Sequence, residues 1–238
     1  IGESALSGKK GEYIFETLKN FLLENNFIKN DWNALNILTQ QASRVGAIDL
    51  GFYSIREDNN FLFFDKLQND NFKLIYLLGA DEISFDKKDK FIIYQGSHGD
   101  KGAEIADIIL PAAAYTEQTG YFTNLEGKLQ KAFKASYPPG ESKEDWQIIN
   151  ELAEVISDKK IFNDKAELDS AMLNYLNLFK ENNLSKKNSK LTNLNQQSEK
   201  IIIKDNDYYY SNSIARASKT MSNCRNKKIN IKATGTEG

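Results

Sequence analysis

Three short apolar runs constrain this chain more than any other feature: Lys73–Leu78, Phe91–Tyr94 and Ala106–Leu110. None of them alternates apolar with polar residues. Continuous runs of this length are what strands covered on both faces look like, as in a parallel sheet packed between helices. Each run is followed by turn chemistry: Gly79-Ala80-Asp81, Gly96-Ser97-His98-Gly99 and Pro111. The connections are too short for full helical crossovers, so any helices in them have one or two turns. The expected fold class is α/β, a parallel sheet flanked by helices.

The flanking segments carry helical signals. In Gly11–Asn25, the residues Ile14, Phe15, Leu18, Phe21 and Leu22 fall on one face at helical spacing. A second helix is expected from about Trp32 to Arg44, with Asp31 as N-cap and Gly46 as its C-terminal glycine. Tyr121–Asn124 and Lys128–Gln130 flank Glu126-Gly127 as a hairpin. Pro138-Pro139-Gly140 then breaks the chain. Ser142 is placed to cap a helix beginning near Lys143, with Asp145 at capping-box spacing. Its expected buried stripe is Trp146, Ile149, Leu152 and Val155. A further stripe runs through Leu168, Ala171, Met172, Tyr175 and Phe179.

The organisation expected is an α/β domain over 1–160, a peripheral helix over 161–180, a polar linker over 181–200 and a C-terminal extension and tail over 201–238. Glu181–Lys200 is rich in Asn, Lys, Ser and Gln, a surface-linker composition. Ile201–Ile203 and Tyr208–Tyr210 suit a peripheral strand or extended wrap, and Asn223–Gly238 a loose tail. Ile1 resembles the end of a truncated strand, so the chain is read as beginning inside a domain.

Several function classes lose support on composition. The chain is 40% hydrophobic and 27% charged with net charge −2, so no global basic field draws it to nucleic acid or anionic lipid. No apolar run approaches the roughly 20 residues of a membrane span. Gly2-Glu3-Ser4-Ala5-Leu6-Ser7-Gly8-Lys9 looks like a phosphate loop at a glance. It has one residue too many between its glycines, and Lys10 stands where Ser or Thr is required. A glycine turn into a helix is the plainer reading. His98, the single histidine, follows a strand beside Ser97 and could in principle act as a base, but a hydrogen-bonded turn residue accounts for it. One Cys and one His cannot make a zinc site, and Cys224 alone cannot hold an iron–sulfur cluster. Cys224 sits among Asn223, Arg225, Lys227 and Lys228, where neighbouring cations would raise thiol reactivity, and an incidental or partner-packed thiol is the plainer reading. Tyr208-Tyr209-Tyr210 with Arg216, Lys219 and Arg225 combines aromatic and basic residues as RNA-binding segments do. In a chain of this charge, docking on a neighbouring protein explains it better. No residue is assigned a catalytic, cofactor-binding or metal-binding role.

Ala106-Asp107-Ile108-Ile109-Leu110-Pro111-Ala112-Ala113-Ala114, then Glu117, Gly120 and Thr123-Asn124-Leu125-Glu126-Gly127-Lys128-Leu129-Gln130, resembles the signature of molybdopterin-oxidoreductase-like folds. Further blocks are similar to the large iron–sulfur subunit family of respiratory complex I, NADH:quinone oxidoreductase. These are Asp31-Trp32-Asn33, Ala42–Phe52, Leu77–Glu82, Tyr94–Ala103, Tyr137–Trp146, Asp207-Tyr208-Tyr209, and Ser213–Met221 with Cys224. The last two resemble the tail of the mitochondrial and alphaproteobacterial versions. The cysteine-rich iron–sulfur domains of that family have no counterpart in these 238 residues.

The resemblance implies a partial molybdopterin-oxidoreductase-like domain that holds no pterin and no other cofactor. Iron–sulfur clusters are expected in an N-terminal part or a partner chain. It implies a non-catalytic, structural component of the proton-translocating NADH:ubiquinone oxidoreductase. The implied partners are other peripheral-arm subunits, above all the iron–sulfur half of the same subunit, with neither nucleic acid nor a membrane span. The implied location is the matrix side of the mitochondrial inner membrane, or the cytoplasmic side of the inner membrane in an alphaproteobacterium. The competing reading is a pterin-binding fragment of a catalytic molybdopterin oxidoreductase, which shares the Ala106–Gln130 signature.

Overall fold

A computed structural model describes residues 1–6, 10–29, 33–52, 72–83, 85–182 and 207–233. The chain forms two compact units whose segments interleave. One holds Ile1–Ile55, Gly120–Ala132 and Phe162–Ile202; the other holds Arg56–Thr119, Phe133–Ile161 and Ile203–Gly238.

The second unit contains the expected parallel sheet. Strands β1 (Leu74–Leu78), β2 (Phe91–Gly96) and β3 (Ile108–Pro111) lie side by side in that order, Leu77 opposite Tyr94 and Tyr94 opposite Ile109. Ile75, Leu77, Ile92 and Tyr94 form its core, with Ala80, Ile83, Phe85, Ala103, Ile105 and Ala106 packed around them. Burying each large apolar side chain contributes about 1.5–3 kcal/mol. The sheet is not covered on both faces as the runs predict. In β1 only Ile75 and Leu77 are buried, and in β3 Ile108 and Ile109 are exposed. Unbroken hydrophobicity reports what a strand can bury, and the central strand comes nearest to it, with Ile92, Tyr94 and Gln95 buried but Phe91 exposed. One short helix, α3 (Lys101–Glu104), joins β2 to β3, capped by Asp100, whose carboxylate accepts from Lys101 N–H at 2.9 Å.

After the Pro138-Pro139-Gly140 break the backbone returns to the sheet. Lys143 bridges Ala112 in parallel, and its carbonyl accepts from Ala113 N–H at 2.8 Å. That pairing keeps Lys143 extended and delays the next helix. Helix α4 spans Asp145–Ser157 with Glu144, not Ser142, as N-cap. The capping box is closed by Gln147 Oε1, which accepts from Glu144 N–H at 3.1 Å, while Ser142 Oγ donates to the Pro139 carbonyl. The buried face matches the expected one only in part, with Trp146 and Leu152 half-buried. Ile148 and Asn150 are buried, whereas Ile149 is exposed and Val155 is 81% exposed. Asp145 is hydrogen-bonded to Gln95 and Gln118, and this sets the rotation of the helix.

The C-terminal region differs from its sequence reading. Tyr208–Tyr210 forms a 3-10 turn rather than a strand or wrap. It leads into α6 (Ser213–Ala217) and α7 (Lys219–Ala233), so Asn223–Ala233 is helical rather than a loose tail. The expected strand at Ile201–Ile203, linker residues 183–200 and tail residues 234–238 lie outside the described residues.

In the first unit, α1 spans Gly11–Glu24 as its apolar spacing predicts. The helix expected over Trp32–Arg44 does not form across the described part, 33–43. Leu38 bridges Gly2 in parallel, with Leu38 N–H donating to the Ile1 carbonyl and Glu3 N–H to the Leu38 carbonyl. Asn33 Oδ1 accepts from Leu35 N–H at 2.8 Å, a local bond that competes with helix. The expected N-cap, Asp31, lies outside the described residues. The helix here is α2, Arg44–Asp49. Gly46 lies within it, and Gly51 (φ +75°) is the terminating glycine. Gly51 N–H donates to the Ile48 carbonyl and Phe52 N–H to the Ala47 carbonyl, a Schellman closure.

The expected hairpin forms as β4 (Gly120–Thr123) and β5 (Leu129–Ala132), antiparallel, turning at Gly127 (φ +74°). Helix α5 spans Lys165–Asn182. Among its described side chains Leu176 is buried, with Leu168 and Met172 half-buried; Ala171 and Tyr175 of the expected stripe are exposed, and the Phe179 side chain lies outside the described set. The phase is set by Asp169, which accepts from Tyr121 Oη and Lys131 Nζ at 3.1 Å each, and from Lys165 Nζ at 2.7 Å.

Candidate functional site

A parallel sheet delivers the loops after its strands to one edge, where open α/β folds bind ligands. Here the loop after β1 supplies Asp81 and Glu82, and the loop after β2 supplies Asp100. Arg216 of α6 meets all three. Its Nη2 donates to Asp81 Oδ2 at 3.1 Å, Nη1 to Glu82 Oε1 at 2.9 Å, and Nε to Asp100 Oδ2. Nη1 also donates to the Tyr210 carbonyl at 3.1 Å. The planar fork of a guanidinium holds five N–H donors in fixed directions, whereas an ammonium offers three from a single point.

Tyr94 lies beside this cluster, 2% exposed, its hydroxyl donating to the His98 carbonyl at 2.8 Å. Burial, then the charges of Asp81 and Asp100, push its pKa up to about 12 against the opposing pull of Arg216. The phenol stays neutral at physiological pH and serves as a fixed donor. Gly102 lets α3 approach closely, because a Cβ there would sit 2.8 Å from the Ala80 carbonyl oxygen. The edge is a closed ion-pair cluster with three carboxylates around one guanidinium.

A second polar cluster lies at the end of β2. Gln95 is fully buried, and its Nε2 donates to Asp145 Oδ1 at 2.7 Å. Gln118 Nε2 donates to the other Asp145 oxygen at 2.8 Å, and Tyr76 Oη donates to Gln95 Oε1. Burial, then the Asp145 charge, raises the Tyr76 pKa. Both carboxylate oxygens of Asp145 are thereby satisfied and the helix is locked to the sheet.

The residues singled out in the sequence fall as follows. Ser97 Oγ lies 3.0 Å from His98 Nδ1 on the β2 loop. In the glycine segment, Glu3–Ala5 forms a 3-10 turn. The Glu3 carboxylate accepts from Gln40 N–H at 2.8 Å and pairs with Arg44 at 3.2 Å; Ser7, Gly8 and Lys9 lie outside the described residues. Cys224 is exposed on α7. Among the described residues, no three His, Cys, Asp or Glu side chains cluster as metal ligands would. The aromatic and basic residues of the tail engage one another: Arg225 over Tyr210 at 4.9 Å and Lys228 over Tyr209 at 5.7 Å, with Arg225 Nε donating to Asp207. Sequence reasoning quotes Asp81, Glu82 and Asp100 within larger blocks but does not pair them with Arg216. The separations of 116 to 135 positions leave no local signal.

Residues 1–155 match the family described as molybdopterin oxidoreductase. The chain is similar to the NADH-ubiquinone oxidoreductase 75 kDa subunit of Reclinomonas americana, 38% identical over 235 residues, which is 94% of this chain and 33% of that protein. It is 37% identical over 241 residues to an NADH-quinone oxidoreductase subunit of Rickettsia bellii, 99% of this chain and 34% of that protein. A 167-residue stretch is 42% identical to the mitochondrial NADH-ubiquinone oxidoreductase 78 kDa subunit of Candida albicans, covering 69% of this chain and 22% of that protein. The chain thus spans about a third or less of the length of these curated relatives.

Proposed function

Because the chain belongs to the molybdopterin oxidoreductase family, and its relatives are NADH–quinone oxidoreductase subunits, we propose that it is a structural component of the peripheral arm of respiratory complex I. In this reading it supports the NADH-to-quinone electron path without holding a redox centre itself. Its neighbours are other peripheral-arm subunits, first among them the iron–sulfur part of the same subunit. Its place is the matrix side of the mitochondrial inner membrane or the cytoplasmic side of a bacterial one. No helix among the described residues is long and apolar enough to cross a membrane, which accords with a peripheral position.

The observation that carries the non-catalytic reading is the Arg216 cluster. The family's namesake group is a pterin carrying anionic phosphate. The residues at the carboxyl edge do not fit such a group: they present three carboxylates, and their one guanidinium is already engaged. Apart from the exposed Lys101, a phosphate approaching this edge meets like charge rather than the free amides and cations that phosphate sites use. The Tyr94 phenol, held near 12, is equally unsuited to proton transfer at neutral pH.

The test is a native gel of a mild-detergent membrane extract, stained for NADH dehydrogenase activity and probed for this chain. Comigration with the large active band is the expected outcome. Migration alone, or with a molybdenum-containing band, sinks the proposal and favours a pterin-binding fragment of a catalytic oxidoreductase.

A further inference from the structure

Helix α7, Lys219–Ala233, has five basic residues in its sequence, Lys219, Arg225, Lys227, Lys228 and Lys232, and no acidic one. The whole stretch from Tyr208 to Ala233 lacks Asp and Glu, in a chain whose net charge is −2. An exposed helix needing only solubility interleaves both signs, as α5 does with Lys165, Glu167 and Asp169. In α7, Arg225 and Lys228 stand three apart, a spacing at which like charges repel. A helix keeps uncompensated charge of one sign where something outside it supplies the other.

The geometry presents part of this charge outward. Arg225 is turned inward, its guanidinium over the Tyr210 ring and bonded to Asp207. Lys219, Lys227 and Lys228 are exposed. Arg216 pins the preceding α6 to the sheet edge and bonds the Tyr210 carbonyl, and α7 packs back on the Tyr208–Tyr210 turn through Arg225 and Lys228. The helix has no apolar stripe of the kind that settles into a lipid interface. Of the three tyrosines, Tyr209 and Tyr210 lie under Lys228 and Arg225 and only Tyr208 is open, too little for a platform on which successive bases stack.

We propose that α7 is a docking helix for a carboxylate-rich face of another protein subunit, with Lys219, Lys227 and Lys228 as the contacting cations. The inference rests on the reading of this chain as a subunit of a larger assembly, and it names the surface and the chemistry of one contact.

The experiment is zero-length carbodiimide cross-linking of the intact assembly, which joins a lysine amine to a carboxylate in direct contact, followed by peptide mass spectrometry. The expected result is amide links from Lys219, Lys227 or Lys228 to Asp or Glu of one identified neighbouring subunit. In parallel, a Lys219→Gln/Lys227→Gln variant is released from the assembly at lower salt than wild type, and Lys219→Arg/Lys227→Arg is not. Far-UV circular dichroism confirms that both variants keep their helix content. The proposal is overturned if other lysines of the chain link to subunits while these three do not, or if the glutamine variant matches wild type in salt. Retention on RNA or on phosphatidylserine vesicles that is lost in the glutamine variant, without a subunit link, assigns α7 to that ligand and likewise overturns it. If the wild-type chain fails to sediment with the NADH-oxidising assembly at all, the subunit reading itself falls.

Discussion

Arg216 Nη2 donates to Asp81 Oδ2 across 3.1 Å, although 135 positions separate the two residues. The bond closes the carboxyl edge of the parallel sheet with a side chain from the C-terminal region. The Asp81 and Asp100 side chains are 16% and 21% exposed, so their charges depend on this partner.

Replacing Arg216 with alanine leaves those carboxylates facing one another without a cation. The expected loss is about 2 kcal/mol, the scale of a charge-assisted hydrogen bond left unmade in a partly buried setting. Urea unfolding measures it, and amide exchange in α6 and α7 rises in the same variant. Arg216→Lys recovers less than half, because one ammonium cannot reproduce the fork.

Tyr94 gives the second unit an alkaline limit. Its pKa is raised in the folded state, first by burial and then by Asp81 and Asp100. The contribution is therefore complete below the ordinary tyrosine value of about 10 and is lost as pH rises from there towards about 12. Tyrosinate absorbance against pH should show a late step in wild type that is missing in Tyr94→Phe. If all tyrosines of the folded protein titrate at the ordinary value, this account of Tyr94 is wrong.

Asp145 ties α4 to the sheet through both carboxylate oxygens. Asp145→Ala leaves the fully buried Gln95 amide only the longer bond to the residue-145 backbone carbonyl, 3.3 Å, and costs about 1–2 kcal/mol by denaturant midpoint at unchanged m-value. A double-mutant cycle with Gln95→Ala should return a coupling of about 1.5 kcal/mol or more. Strict additivity would mean that the pair is not coupled.

Two glycines near the same edge separate crowding from chain flexibility. A Cβ on Gly102 meets the Ala80 carbonyl oxygen at 2.8 Å and Tyr94 Cδ2 at 3.0 Å, whereas one on Gly99 meets nothing within 4 Å. Gly102→Ala should destabilise by about 1–3 kcal/mol, and Gly99→Ala should leave the thermal midpoint within error of wild type.

The first unit carries an acid limit at Asp169. Burial works against ionisation there, but the hydrogen bonds and charges of Lys165 and Lys131 outweigh it and hold the carboxyl below the usual aspartate range. With a lowered folded pKa, the stabilisation is present above about 3.9 and disappears as pH falls through the folded value. Protection factors of the β4–β5 hairpin amides, which divide out the pH dependence of intrinsic exchange, should fall in wild type between neutral pH and about pH 3. Asp169→Asn should show little further change.

The elements that sequence reasoning places correctly are those encoded by neighbours. The three strands follow from unbroken apolar runs, α1 from Ile14, Leu18 and Phe21 at helical spacing, and the hairpin from Glu126-Gly127. The elements it misplaces are those that a distant partner overrides. Leu38 pairs with the Ile1–Glu3 segment and takes its region out of helix, and Lys143 pairs with Ala112 and delays α4. In α4 and α5, Asp145 and Asp169 shift part of the buried face towards the partners of their carboxylates.

What the sequence by itself determined is the α/β class, the family and the positions of the three strands along the chain. These rest on hydrophobic patterning and on motif blocks, both written in contiguous residues. Only the tertiary structure decided that Arg216 closes the sheet edge over Asp81, Glu82 and Asp100, and that the chain interleaves between two units. The physical reason is range. Backbone preference and side-chain periodicity act over a few residues, whereas an ion pair between positions 81 and 216 exists only once the intervening chain has folded and brought the two charges within reach.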